Sequence, residues 1–146
     1  MVGTYFDSAL LIKNYVAEPN SSDAQDLLER ETPPLPLTHL QEAEIRNGIR
    51  LKTFRKEITQ AEAAGALLLL EDDIRAGRLE RPNYTLLSIF HRAEILSERY
   101  AMATGARTLD ILHVAAAVEL RCRRFVSFDE RQRKVAAKAG LRVLPR

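Results

Sequence analysis

A single cysteine, Cys122, stands among 146 residues. That excludes an internal disulfide and suits a reducing compartment. Histidine is scarce too: His39 and His91 are not at ligand spacing with each other, and there is no Cys/His zinc pattern. A glycine-rich phosphate loop and a Ser/His/Asp set around a nucleophile elbow are also missing. The apolar run Ala66–Leu70 is far too short to span a bilayer. Met1 leads into Tyr5-Phe6-Asp7 with no basic segment followed by a long apolar stretch, so no signal peptide is expected. The net charge is only +2, which permits a nucleic-acid partner without demanding one. What remains is the expectation of a soluble, cytoplasmic protein forming one domain over 1–146, its 46% hydrophobic residues enough for a sizeable core.

Short apolar segments alternate with helical patterns along the chain. Val2 to Phe6 reads as a strand ending at Asp7, followed by a helix carrying Leu10, Leu11 and Val16. After the break at Glu18-Pro19-Asn20-Ser21-Ser22, a second helix carries Ala24, Leu27 and Leu28. Thr32 to Thr38 is too proline-rich for a central strand, although its last three residues can still pair. Helices are expected from His39 to Phe54, from the capping box at Thr59 and Glu62 to Gly77, and from Tyr84 to Ala103. Thr108 is expected to cap a helix from Leu109 to Arg121, and Phe125-Val126-Ser127 reads as a strand. Asp129 opens a last helix closed by Gly140, and Leu141 to Leu144 is a final strand. The fold class expected is α/β: a three-layer α/β/α sandwich around a central, mainly parallel sheet.

Four carboxylates stand out against this frame: Asp7, Glu44, Asp110 and Asp129. Parallel sheets bind ligands at the carboxyl ends of their strands, where Asp7 and Asp129 fall. Asp110 lies in a helix apolar almost all round, a place where a desolvated carboxylate needs a partner. Glu44 shares a helical stripe with Leu40, Asn47, Gly48 and Leu51, whereas Glu42 falls near the opposite side and reads as a solvated charge. Three of the four also have a plain structural account. Asp7 and Asp129 are good N-caps, and Asp110 sits where a helix dipole favours negative charge. Their common placement favours a hard divalent cation and phosphodiester chemistry.

The same residues carry a resemblance. Tyr5-Phe6-Asp7-Ser8-Ala9-Leu10-Leu11, followed by Glu18-Pro19-Asn20-Ser21, resembles the opening of PIN-domain proteins, in particular toxins of VapC type. Thr38 to Asn47 is similar to the family's second motif, with Glu44 aligned on its helix-borne Glu. Leu109-Asp110-Ile111-Leu112-His113-Val114-Ala115 resembles the third motif. Phe125-Val126-Ser127-Phe128-Asp129, with Arg131, resembles the fourth. Two positions depart from the pattern: Ala9 stands where many members carry a hydroxyl, and Ser127 replaces the commoner Thr.

The resemblance implies a PIN-like fold and an endoribonuclease dependent on Mg2+ or Mn2+, the toxin half of a toxin–antitoxin pair. Asp7, Glu44, Asp110 and Asp129 would be its metal-binding and catalytic residues, with Ser8, His113 and Ser127 in support. It also implies an RNA substrate, a VapB-type antitoxin and a homodimer, and no membrane association. In such chemistry a metal-activated water attacks phosphorus in line, so no cysteine or histidine nucleophile is required. His113, three residues after Asp110, suits a buried orienter of that acid better than a ligand or general base. Two basic groups, Arg46, Arg50, Lys52, Arg55 and Lys56, and Arg121, Arg123, Arg124, Arg131 and Arg133, suit either solvated faces or phosphate attraction. Two rivals remain open: a PIN-like binding module without catalysis, and a phosphoacceptor receiver domain. The latter would need a Lys at a late strand end, where this chain has Asp129.

Overall fold

A computed structural model describes residues 3–146. In chain order the elements are β1 (Thr4–Phe6), α1 (Ser8–Ile12), α2 (Ser21–Glu29), β2 (Leu35–Pro36), α3 (His39–Phe54) and α4 (Gln60–Arg75). They continue with β3 (Leu79–Glu80), α5 (Leu86–Thr104), α6 (Thr108–Glu119), β4 (Arg124–Val126), α7 (Glu130–Lys138) and β5 (Arg142–Leu144). The fold is mixed α/β, and every strand pairing is parallel. None of the described helices is long and apolar enough to cross a membrane. The chain divides into two units: one runs up to Asp7 and resumes over Pro82–Arg146, and the other is Ser8–Arg81.

The first unit holds a three-stranded sheet in the order β1-β4-β5, with Tyr5 opposite Phe125 and Phe125 opposite Val143. Parallel strands need helical crossovers and are covered on both faces, so they read as short apolar runs without alternation. Thr4, Tyr5, Phe6, Phe125 and Val126 are accordingly buried, and the Tyr5 and Phe125 rings stack with centroids 5.5 Å apart. Helix α6 is buried from Asp110 through Ala117, as its all-round apolarity requires. It packs on α5 and α7, and α7 also lies against β4 and β5. Gly105, at φ 67°, ends α5 in the left-handed conformation that favours glycine.

The sequence expectations are adjusted in detail here. Val2 lies outside the described residues. Strand β4 starts at Arg124 and ends at Val126, while the Ser127 N–H still donates to the Leu144 carbonyl at 3.1 Å. Thr108 is not the cap of α6 but its first residue, and the N-cap is Arg107. The Asp110 carboxylate reaches back to the Arg107 N–H and thereby fixes the helix start one residue earlier.

In the second unit α1 packs on α3 and α3 on α4. A Cβ at Gly48 would come within 2.6 Å of Ile12 Cδ1, so glycine is what allows that close approach on α3. Thr38 and Gln41 form a full capping box at the start of α3, as do Thr59 and Glu62 at α4. Pro36 can take part in a strand because β2 is only two residues long, with Leu35 opposite Leu79 and Pro36 opposite Glu80. The Leu37 N–H continues the pairing to the Glu80 carbonyl at 2.9 Å. Strand β3 has no counterpart in the sequence reading, since two residues carry no periodicity.

Candidate active site

Asp7 is the first residue past β1, and its N–H donates to the Val126 carbonyl at 3.0 Å. This places it at the carboxyl end of the parallel sheet, the edge where such sheets bind ligands. Its side chain is almost wholly enclosed, at 2% exposure, and accepts a hydrogen bond from the Ser127 hydroxyl just past the end of β4. The Ser127 oxygen also accepts the Asp129 N–H at 3.0 Å. One fully buried hydroxyl therefore ties the first acid to the loop that carries another.

Asp129 is the N-cap of α7: its Oδ1 accepts the N–H groups of Arg131 at 2.9 Å and Gln132 at 3.0 Å. The capping account and the functional account are thus both compatible with its geometry. Gln132 then extends the chain of contacts, its Nε2 donating to Asp110 Oδ1 at 3.2 Å. Asp110 is 3% exposed, and its Oδ2 accepts the Arg107 N–H at 2.9 Å, with Arg107 Nε at 3.5 Å. Asp7, Ser127, Asp129, Gln132 and Asp110 form one continuous hydrogen-bonded series within the first unit. From sequence, Gln132 reads only as the end of a near capping box behind Asp129, and its contact with Asp110 carries no local signal.

Glu44 belongs to the second unit. It is half-buried on α3, and its Oε1 accepts the Ser8 hydroxyl at 3.0 Å. Ser8 is buried at the start of α1 and follows Asp7 directly in the chain. Glu42 is not the solvated charge expected of it. It is half-buried and paired with Arg81, through Nη2 at 2.5 Å and Nε at 3.2 Å, and with Arg46 at 3.7 Å. The register separating the two glutamates on one helix thus gives one to ion pairs and the other to a buried hydroxyl.

His113 is buried, and its Nδ1 lies 2.8 Å from the Tyr5 hydroxyl. Several of the expected phosphate-attracting side chains are committed elsewhere. Arg46 pairs with Glu71 as well as Glu42, and Lys52 pairs with Glu18 and Glu57. Arg133 donates to the backbone carbonyls of Ser127 at 2.8 Å and Pro145 at 2.6 Å, holding the loop after β4. Arg50, Arg55, Lys56, Arg107 and Arg131 are exposed. Cys122 offers no nucleophile, because burial pushes its thiol up to about 11.

In donor type the acids suit a hard divalent cation, since Asp7, Asp110 and Asp129 offer only carboxylate oxygens. Among the described residues no three His, Cys, Asp or Glu side chains come together at metal-ligand spacing. Magnesium is commonly held by one or two carboxylates, with water and substrate oxygens completing its shell, so this donor chemistry fits it without an all-protein cage.

No protein-family model matches the sequence, and no curated protein matches it. Among solved structures, the crystal structure of FitAcB from Neisseria gonorrhoeae is similar in fold. The TM-score is 0.65 with 15% identity, covering 97% of this chain and 96% of that chain.

Proposed function

We propose that this chain is a PIN-type, metal-dependent endoribonuclease acting in the cytoplasm as the toxin of a toxin–antitoxin pair. The observation that carries the proposal is the hydrogen-bonded series from Asp7 through Ser127, Asp129 and Gln132 to Asp110, at the carboxyl end of a parallel sheet. Buried carboxylates held by hydroxyl, amide and backbone donors are preorganised before any ligand arrives, and that is the arrangement electrostatic catalysis favours. The FitAcB likeness supports the fold assignment on which the resemblance of the four motifs depends.

The ligands proposed for Mg2+ or Mn2+ are drawn from Asp7, Glu44, Asp110 and Asp129, one or two of which would hold an ion directly, with water and substrate oxygens completing its shell. When bound, such a cation supplies Lewis acidity and lowers the pKa of water. Ser127 fixes the direction of the Asp7 carboxylate, and Ser8 does the same for Glu44. The exposed guanidinium of Arg107, beside Asp110, and the exposed Arg131 in the first turn of α7 would draw RNA phosphates toward a site otherwise repulsive to them. A VapB-type antitoxin would inhibit by placing a cationic side chain among these acids, and the chain would work as a homodimer.

The test is incubation of the purified chain with defined RNAs, with and without Mg2+, beside Asp7→Asn. Cleavage that needs Mg2+ and Asp7 is expected. Metal-independent cleavage, or full activity in Asp7→Asn, would overturn the proposal.

A further inference from the structure

Granted the ribonuclease assignment, we propose that Gln132 is the positioning residue of the acidic site, holding Asp110 and Asp129 in one arrangement through opposite ends of itself. Its backbone N–H serves Asp129 Oδ1 at 3.0 Å, and its Nε2 serves Asp110 Oδ1 at 3.2 Å. Its side chain thus ties Asp110 to the first turn of the helix that Asp129 caps.

The remaining polar atom of Gln132 sharpens this. Its Oε1 is buried and accepts from no donor among the described residues. Turning the amide over would pair that oxygen with nothing better, because it would then face an acceptor-only carboxylate. The contact with Asp110 therefore sets which way the carboxamide points. An amide that holds a buried carboxylate in one direction is an outer partner of whatever that carboxylate binds, and such partners commonly govern metal affinity and activity by about 10–100-fold.

Two opposite effects meet when Gln132 is replaced by a side chain of similar shape. Asp110 loses a donor, and a stranded acceptor disappears. Gln132→Met is therefore expected to melt within a few degrees of wild type, while Mn2+ affinity, followed by calorimetry, falls about 10–100-fold. In RNA cleavage, kcat should fall with KM little changed. Gln132→Asn keeps the carboxamide but shortens its reach, and should lie between the two. Folded Gln132→Met that equals wild type in Mn2+ affinity and kcat would overturn the proposal. So would a large loss of melting temperature in both variants with Mn2+ affinity intact.

A readout independent of cleavage separates this proposal from the one it builds on. In the metal-free protein the Gln132 side-chain amide protons, followed by nuclear magnetic resonance, should exchange slowly and lose that protection in Asp110→Asn. Rapid exchange in wild type would overturn the positioning role even if the chain cleaves RNA. Slow exchange lost in Asp110→Asn would uphold the contact even if no RNA is cleaved, leaving only the ribonuclease assignment to fall.

Discussion

The Ser127 hydroxyl donates to the carboxylate of Asp7, 120 residues away in the chain. The same oxygen accepts the Asp129 N–H, so Ser127→Ala removes two bonds at a fully buried position. A buried polar group left without its partner costs about 1–3 kcal/mol. Chemical denaturation should show a loss of that size. Cleavage should fall about 10–100-fold, as for other losses of an outer partner. Wild-type activity in Ser127→Ala would mean that the direction of Asp7 does not matter to the reaction.

The acids themselves give a sharper contrast. Asp7→Asn, Asp110→Asn and Glu44→Gln should each lower cleavage on the order of 100-fold or more while the protein stays folded, judged by circular dichroism. Asp129 has two duties that substitutions can separate. Asn is as good an N-cap as Asp, so Asp129→Asn should keep α7 and lose cleavage. Asp129→Ala should lose cleavage and about 0.5–2 kcal/mol of stability as well. Glu42→Gln breaks the pairs with Arg81 and Arg46, which should lower stability by about 1 kcal/mol or less and leave cleavage unchanged. An inactive Glu42→Gln beside an active Glu44→Gln would reverse their assigned roles.

Much of this was legible in the sequence because its determinants are local. Helix α3 starts at His39 because Thr38 and Gln41 cap each other within four residues, and α4 follows from Thr59 and Glu62 in the same way. The apolarity of α6 gave away the burial of Asp110. What escaped depends on contacts far apart in the chain, or on elements too short to have a period. Tyr5 meets His113 across 108 residues, and nothing near either residue announces it. Strand β3 is two residues long and exists through its pairing with β2. Arg107 displaced Thr108 as the cap because a side chain three residues later reaches back to it, and Gln132 became visible only when its amide met Asp110 across 22 residues.

Glu18 provides a pH test. Burial opposes its ionisation, but hydrogen bonds from Lys52 and Lys13 outweigh burial, and its pKa is lowered from the usual 4.5. A carboxyl with a depressed folded-state pKa contributes stability above its unfolded value and loses it as pH falls through the folded value. Glu18→Gln should therefore be less stable than wild type near neutrality, by about 1 kcal/mol for a pair of this exposure. The difference should close as pH drops below 4.5. Urea denaturation at pH 7, 5 and 3 measures it, and a gap that widens toward pH 3 would contradict the sign.

Burial pushes the Cys122 thiol up to about 11, so little thiolate exists at pH 8 and access is poor. A thiol reagent such as dithionitrobenzoate should label the native protein slowly and the urea-unfolded protein at once. Cys122→Ser should leave RNA cleavage unchanged, because no step of the proposed chemistry uses sulfur. Fast native labelling would show that the region around Cys122 opens readily.

The start of α5 bears on association. Leu86, Leu87 and Phe90 are each more than half exposed there, and Leu86 and Phe90 are one helical turn apart. Single exposed apolar residues are ordinary on protein surfaces, but three within five positions form a patch that water disfavours. If this patch is the seam of the proposed homodimer, light scattering should give the dimer mass across a micromolar concentration series. Phe90→Asp, which puts a charge into the seam, should then give the monomer. Its monomeric unfolding should remain cooperative, because Phe90 contributes little buried area within the chain itself. A strictly monomeric wild type at high micromolar concentration would remove the dimer, and a dimeric Phe90→Asp would place its interface elsewhere on the surface.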